Sequence, residues 1–218
     1  MVNQKFSWKE AVGVGWDAMK ANFWFFVSLL AAAFLIKFIP TRLADIVKKD
    51  NFTLYMVFTV VAIFFGTLID MGLIRTSLKI SNKEKGDIFD LFNCLPLFFK
   101  YFFASVVYTL ICICGFILLI VPGFIWSIQF GLFGYFMIDK GFGPIKALKA
   151  SSAATKGSKG DLFVLYFILF GINLLGFLAL VLGLFVTVPV TMIASVYVYR
   201  KLTEVISLDS AKLTAEIK

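Results

Sequence analysis

YFFASVVYTLICICGFILLIVPGFIWSIQFGLFGYFMI, residues 101–138, is a run of 38 residues without a charged side chain, broken near its middle by Ile120-Val121-Pro122-Gly123. A helix crosses a bilayer with roughly 20 apolar residues. The run is therefore too long for one span and suits two spans joined by almost no loop. Pro122 costs little in the first turn of the second helix, where its missing N–H would be unpaired anyway. Residues 162–199 form a second uncharged run of the same length, punctuated by Gly183, with Pro189 inside its second half. Pro189 predicts a kink. Each run predicts a helical hairpin, and the chain an all-α, polytopic membrane protein.

Composition agrees. Of 218 residues, 61% are hydrophobic, and the mean hydropathy is +0.94. Soluble domains are about 45–50% apolar. The 27 phenylalanines spread through every apolar run and read as lipid-facing and interhelical packing. The net charge is +8, from 21 Lys and Arg against 13 Asp and Glu. These cations flank apolar runs, which points to anionic lipid headgroups as partners rather than nucleic acid, with another membrane protein as the alternative.

Catalytic signatures are missing. There is no histidine, which removes the commonest acid–base group and metal ligand. No GxxxxGK[ST], HExxH or GxSxG occurs, and Gly157-Ser158-Lys159-Gly160 is too short for a phosphate loop. Ser151, Ser152, Lys156 and Lys159 are the residue types of serine–lysine pairs, but on a basic interfacial helix they read as facing headgroups. Cys94, Cys112 and Cys114 read as reduced, packed thiols; Cys112 and Cys114 fall on nearly opposite sides of one helix and do not pair. The expectation is no enzyme, no metal and no cofactor.

Outward from the two runs, six spans are predicted, at about 22–39, 52–73, 97–120, 122–138, 162–182 and 184–199, as three hairpins each preceded by a short amphipathic helix. In the first such helix Trp8, Val12, Trp16, Met19 and Phe23 share a face, and Trp8 and Trp16 suit the headgroup region. Glu10 and Asp17 within it, and the spans after it, favour an uncleaved first span over a leader. Gly13 and Gly15 weaken the helix. Pro40 ends the first span, and a polar loop follows to Asn51. The second amphipathic helix carries Ile88, Leu91, Phe92 and Leu95, with Asp87 as N-cap. The third opens at Gly143-Pro144 and places Lys146, Lys149 and Lys156 on one headgroup-facing side. The spans form one integral membrane domain, 1–202, with repeat-like units 1–80, 81–140 and 141–202 and a polar cytoplasmic tail, 203–218. At an offset of 61, Gly115-Phe116 matches Gly176-Phe177 and Phe124 matches Phe185. Of the 21 cations, 17 fall on one side of these spans; Lys37, Arg42, Lys48 and Lys49 fall on the other. The positive-inside rule then puts both termini in the cytoplasm.

Among the polar residues inside the spans, Asp70, Gln129 and Asn173 are the candidates for function. Asp70 is the acidic one, and intramembrane carboxylates are often functional; the plainer reading pairs it with Arg75 or Lys79. Gln129 and Asn173 lie deeper and read as interhelical hydrogen-bonding groups, or, with Asp70, as the lining of a polar path.

Several pieces carry a resemblance: Leu118-Leu119-Ile120-Val121-Pro122-Gly123, then Ala147-Leu148-Lys149-Ala150-Ser151 with Lys156-Gly157, then Gly183, Pro189 and Tyr199-Arg200-Lys201-Leu202. On these the chain, from about residue 60 onward, resembles uncharacterised bacterial six-span membrane proteins, the YciC-like proteins and relatives of the membrane domain fused to some glycerophosphodiester phosphodiesterases. The resemblance implies a multi-pass protein of the bacterial inner membrane and brings no catalytic residues. No phosphodiesterase domain is present, so that activity does not carry over. The leading expectation is a lipid-interacting or partner-scaffolding module at the cytoplasmic leaflet; the alternative is a small transporter or permease subunit with a polar path between hairpins.

Overall fold

The computed structural model describes residues 6–179 and 182–216, the side chains as far as Glu204. The elements are helical throughout: α1 (Trp8–Ala21), α2 (Phe23–Val47), α3 (Phe52–Ser81), two 3-10 turns (Ile88–Leu91 and Leu95–Leu97), α4 (Phe98–Leu118), α5 (Ile120–Phe130), α6 (Phe133–Lys140), α7 (Pro144–Ala154), α8 (Lys159–Leu178) and α9 (Leu184–Glu216). Among the described residues, five segments are long and apolar enough to cross a membrane: Phe23–Val47, Phe52–Ser81, Ile88–Leu118, Ile120–Lys140 and Lys159–Leu178. The chain is thus an all-α, multi-span helical protein. α9 opens with an uncharged stretch, interrupted by Thr187, Pro189, Thr191 and Ser195.

Both uncharged runs fold back on themselves. A single extended residue, Leu119, separates α4 from α5, and Pro122 sits in the first turn of α5. The return is tight because glycines meet there: a Cβ on Gly115 would lie 2.9 Å from the Gly123 Cα. The α8–α9 hairpin closes similarly, a Cβ on Gly183 falling 2.7 Å from the Gly176 Cα. Only a residue without a Cβ permits such approach.

Three expectations change. Pro40 does not end the first span: α2 runs through it to Val47, and the loop shrinks to residues 48–51. A proline removes one helical donor, and here the packing of α2 along α3 carries the helix past it. Pro189 also lies inside a helix, α9, which runs on to Glu216. The second amphipathic helix is two 3-10 turns instead of an α-helix. Asp87 does cap the first of them, its carboxylate accepting from the Phe89 amide. The turn lies so close that a Cβ on Gly72 would fall 2.3 Å from the Leu91 Cα. Finally, the fourth span is broken between Phe130 and Phe133 into α5 and α6.

The core is organised around α9, against which α1, α2, α3, α7 and α8 pack. Ile193, Ala194, Val196, Val198, Tyr199 and Leu202 are all buried there. α1 lies along α9 rather than alone among headgroups. Its inward line is Ala11, Gly15 and Met19, and a Cβ on Gly15 would come within 2.4 Å of the Val190 carbonyl oxygen. Trp8 and Trp16, expected on the apolar stripe, face outward at 40% and 47% exposure; an indole does not fit where backbones approach this closely. α7 is also built in, burying Ala147, Leu148, Ser151 and Ala154 against α4, α5 and α6. Lys146 and Lys149 stay exposed on its outer side, as does Lys156 in the turn that follows, with Lys146 4.1 Å from the Phe142 ring centroid.

Candidate functional site

The break in the fourth span explains why α7 docks. In a continuous helix the Leu132 amide would donate to Ile128 and the Gln129 carbonyl would accept from Phe133. Here the buried Ser151 hydroxyl, on α7, accepts from the Leu132 amide at 3.1 Å and donates to the Gln129 carbonyl at 2.9 Å. The Thr155 hydroxyl lies 3.3 Å from the same carbonyl. Buried backbone groups need partners, and α7 supplies them from side chains. The Gln129 amide group spans the same junction, donating to the Ser152 hydroxyl at 2.7 Å and accepting from Lys159 Nζ at 2.6 Å.

Beside this junction the α4–α5 hairpin and α8 leave a cleft of about 570 Å³, lined by Tyr108, Phe124, Phe163, Tyr166, Phe167 and Phe170 together with Ser127, Ile128 and Gly131. Its few polar atoms are partly occupied: the Tyr108 hydroxyl donates to the Ser127 carbonyl at 3.2 Å, and the Ser127 hydroxyl to Gly123 at 2.8 Å. Phe163, Phe167 and Phe170 are all exposed, so the cleft opens sideways along α8. Phe163 follows Lys159 by one helical turn. A lysine fixed by Gln129 therefore stands at the start of the helix that forms the aromatic wall.

The sequence-derived polar residues sit apart. Asp70 pairs with Lys37 at 2.6 Å, not with Arg75 or Lys79. Those two cations go to Asp90, which is fully buried, 2.6 Å from Lys79 Nζ and 3.8 Å from Arg75 Nε. Asp90 also accepts from the Asp87 amide and from Asn93, so this cluster staples the first 3-10 turn to α3. Asn173 donates to the Thr191 hydroxyl at 2.8 Å and to the Leu169 carbonyl, tying α8 to α9. Among the described residues, no two of Asp70, Gln129 and Asn173 bond to each other. Pro122, Gly123 and Gly183 shape the hairpin tips, and Pro189 lies next to Val190, where α1 crosses α9.

All three cysteines are free; Cys94 is buried, Cys112 half-buried and Cys114 exposed. No group of three or more His, Cys, Asp or Glu side chains placed to hold a metal ion occurs among the described residues. The aromatic wall was not singled out from sequence, although a signal was present. Phe163, Tyr166, Phe167 and Phe170 recur at steps of 3, 1 and 3, one face of a helix, and were lost within a generally Phe-rich run. Compared with known protein families, curated proteins and solved structures, the chain matches none.

Proposed function

We propose that the protein is a non-catalytic membrane module that binds lipid at the cytoplasmic leaflet, an acyl chain lying in the aromatic cleft with its anionic headgroup over the lysines of the α7–α8 region. The cleft carries this reading. Its size falls within the roughly 300–1,000 Å³ of small-molecule sites, its walls are aromatic, and it opens sideways, where a lipid chain enters. The cytoplasmic placement rests on the basic side of the chain, 17 of 21 cations, and on the positive-inside rule. In this reading α9 is the sixth span. The glycine closures at Gly115 and Gly176, 61 residues apart, support treating the last two hairpins as repeated units. A bacterial inner-membrane location and the YciC-like resemblance belong to the same proposal. The transporter alternative would draw on Asp70, Gln129 and Asn173, and each of these has its own local partner.

The test uses phosphatidylglycerol with a photoactivatable acyl chain, incorporated in bilayers with the purified protein. Adducts are expected on the cleft-lining parts of α5 and α8. Lys149→Gln with Lys156→Gln should weaken capture by about thirtyfold, at about 1 kcal/mol per surface lysine. Adducts spread over all lipid-facing helices in proportion to exposure would refute the cleft. Solute flux through reconstituted vesicles would favour the transporter.

A further inference from the structure

Charged side chains in spanning helices ordinarily face the bundle interior or a water-filled cavity. Lys37 and Asp70 do neither. They form a 2.6 Å pair between α2 and α3 with 41% and 55% of their side-chain surface exposed. Lys37 also lines a groove of about 430 Å³ between α2, α3 and α9, whose walls include Phe34, Phe38, Leu73, Phe185 and Val188. Thr41 lines it too, but its hydroxyl is committed to the Lys37 carbonyl at 2.8 Å, so Lys37 supplies the groove's available polar group. Thr41 and Leu184, the first residue of α9, both lie on this groove. Ile69 and Leu73 of α3 line it as well, so the groove runs along α2 and α3 from Thr41 to the level of Asp70, and it shares no lining residue with the aromatic cleft.

The pair is neutral as a whole but not saturated. A lysine has three N–H donors and a carboxylate about four acceptor sites, and the structure fills one of each. Among the described residues, the remaining N–H donors of Lys37 and the second carboxylate oxygen of Asp70 have no protein partner, and Lys37 borders the apolar groove. A purely anionic headgroup would meet Asp70, and a purely cationic one would meet Lys37. A headgroup carrying both a phosphate and a primary ammonium satisfies both, the phosphate accepting from Lys37 and the ammonium donating to Asp70. A trimethylammonium has no N–H to give.

We propose that Lys37 and Asp70 form a headgroup site for a zwitterionic aminophospholipid, its acyl chain lying in the groove between α2, α3 and α9. The site is separate from the aromatic cleft and stands or falls independently of it.

The experiment is native mass spectrometry of the full chain, purified in mild detergent and offered equal amounts of phosphatidylethanolamine, phosphatidylcholine and phosphatidylglycerol with identical acyl chains. Wild type should retain phosphatidylethanolamine about tenfold over phosphatidylcholine, as expected for loss of charge-assisted hydrogen bonds. Asp70→Asn should shift the preference toward phosphatidylglycerol, and Lys37→Gln should remove it. The exchanged pair, Lys37→Asp with Asp70→Lys, should keep it, and this variant decides the matter where the single variants extract poorly. Equal retention of phosphatidylethanolamine and phosphatidylcholine by wild type would overturn the proposal. So would an unchanged preference in both single variants, or a dimer of the chain that either substitution dissociates, since the groove would then be an interface between copies.

Discussion

Replacing Ser151 by alanine tests whether α7 is part of the bundle or a helix resting on the headgroups. The hydroxyl serves two backbone groups, at 3.1 Å and 2.9 Å. Its loss leaves the Leu132 amide without a partner, while the Gln129 carbonyl keeps Thr155 nearby. An orphaned buried group costs about 1–3 kcal/mol. Interhelical hydrogen bonds in membrane proteins average less, about 0.6 kcal/mol with a maximum near 1.7, because the separated helices find other partners. Here the separated fourth span has such a partner available, since straightening the break would return the Leu132 amide to the Ile128 carbonyl. That lowers the cost below the full penalty of an orphaned group, but one hydroxyl serves two buried backbone groups, so the expected loss for Ser151→Ala is about 1.5 kcal/mol, at the upper end of that membrane range. Ser152→Ala is the control: it removes only a side-chain bond to the Gln129 amide and should cost about 0.5 kcal/mol. Reversible SDS unfolding in mixed micelles, followed by far-ultraviolet circular dichroism, measures both. If Ser151→Ala cost no more than Ser152→Ala, the helix break would not be what holds α7 in place.

Two further substitutions probe close approaches. Gly15→Leu cannot be accommodated without moving α1 off Val190 and should cost about 2–3 kcal/mol as overpacking. Gly13→Leu, whose Cβ would meet nothing within 4 Å, should be near neutral; trypsin cleavage at Lys9 and Lys20 reports the release of α1. Asp90→Ala strands Lys79 and the Arg75 Nε, for about 2 kcal/mol, below the 3–5 of a fully buried pair because Lys79, at 29% side-chain exposure, can turn outward. Loosening of the 3-10 turn should expose Cys94 to maleimide in a variant lacking Cys112 and Cys114.

What the sequence showed plainly was what a bilayer forces on it. Two uncharged tracts twice the length of a span, each with a proline or glycine near its middle, leave the helical hairpin as the economical solution, and both fold that way. Close packing was harder to see. Gly15 lowers helix propensity, so it reads as a flaw, yet in the structure it is where the α1 backbone comes close to Val190 of α9; hydrophobic periodicity gives weight to Trp8 and Trp16 and none to the small residues that face inward. Charge partners were illegible for a different reason. Asp70 has Arg75 a turn away in sequence, but it bonds Lys37, 33 positions distant; Asp90 takes Lys79 across a reversal of the chain. Nothing local distinguishes these choices. The docking of α7 was hidden for a third reason: its amphipathic pattern is the same for a helix on a membrane surface and one patching a broken span, and the break is marked only by Gly131 in an apolar run.

The way polar groups are used narrows what the protein can do. A transport path needs side chains free to meet a passing solute. Gln129 instead bridges Ser152 and Lys159 at the α5–α7–α8 junction, and Asn173 is bound to Thr191 across α8 and α9. Asp90 is enclosed by its own cations. These groups resolve local problems of backbone and charge, and replacing them would first cost stability. The exposed chemistry is of another kind: the lysines of α7, the half-exposed Lys37–Asp70 pair, and the side-opening aromatic cleft. Each of them is open to the surroundings of the bundle, the lysines beside the aromatic cleft and the ion pair beside a separate groove. Under the proposed reading, this outward-facing chemistry makes lipid the ligand to look for first.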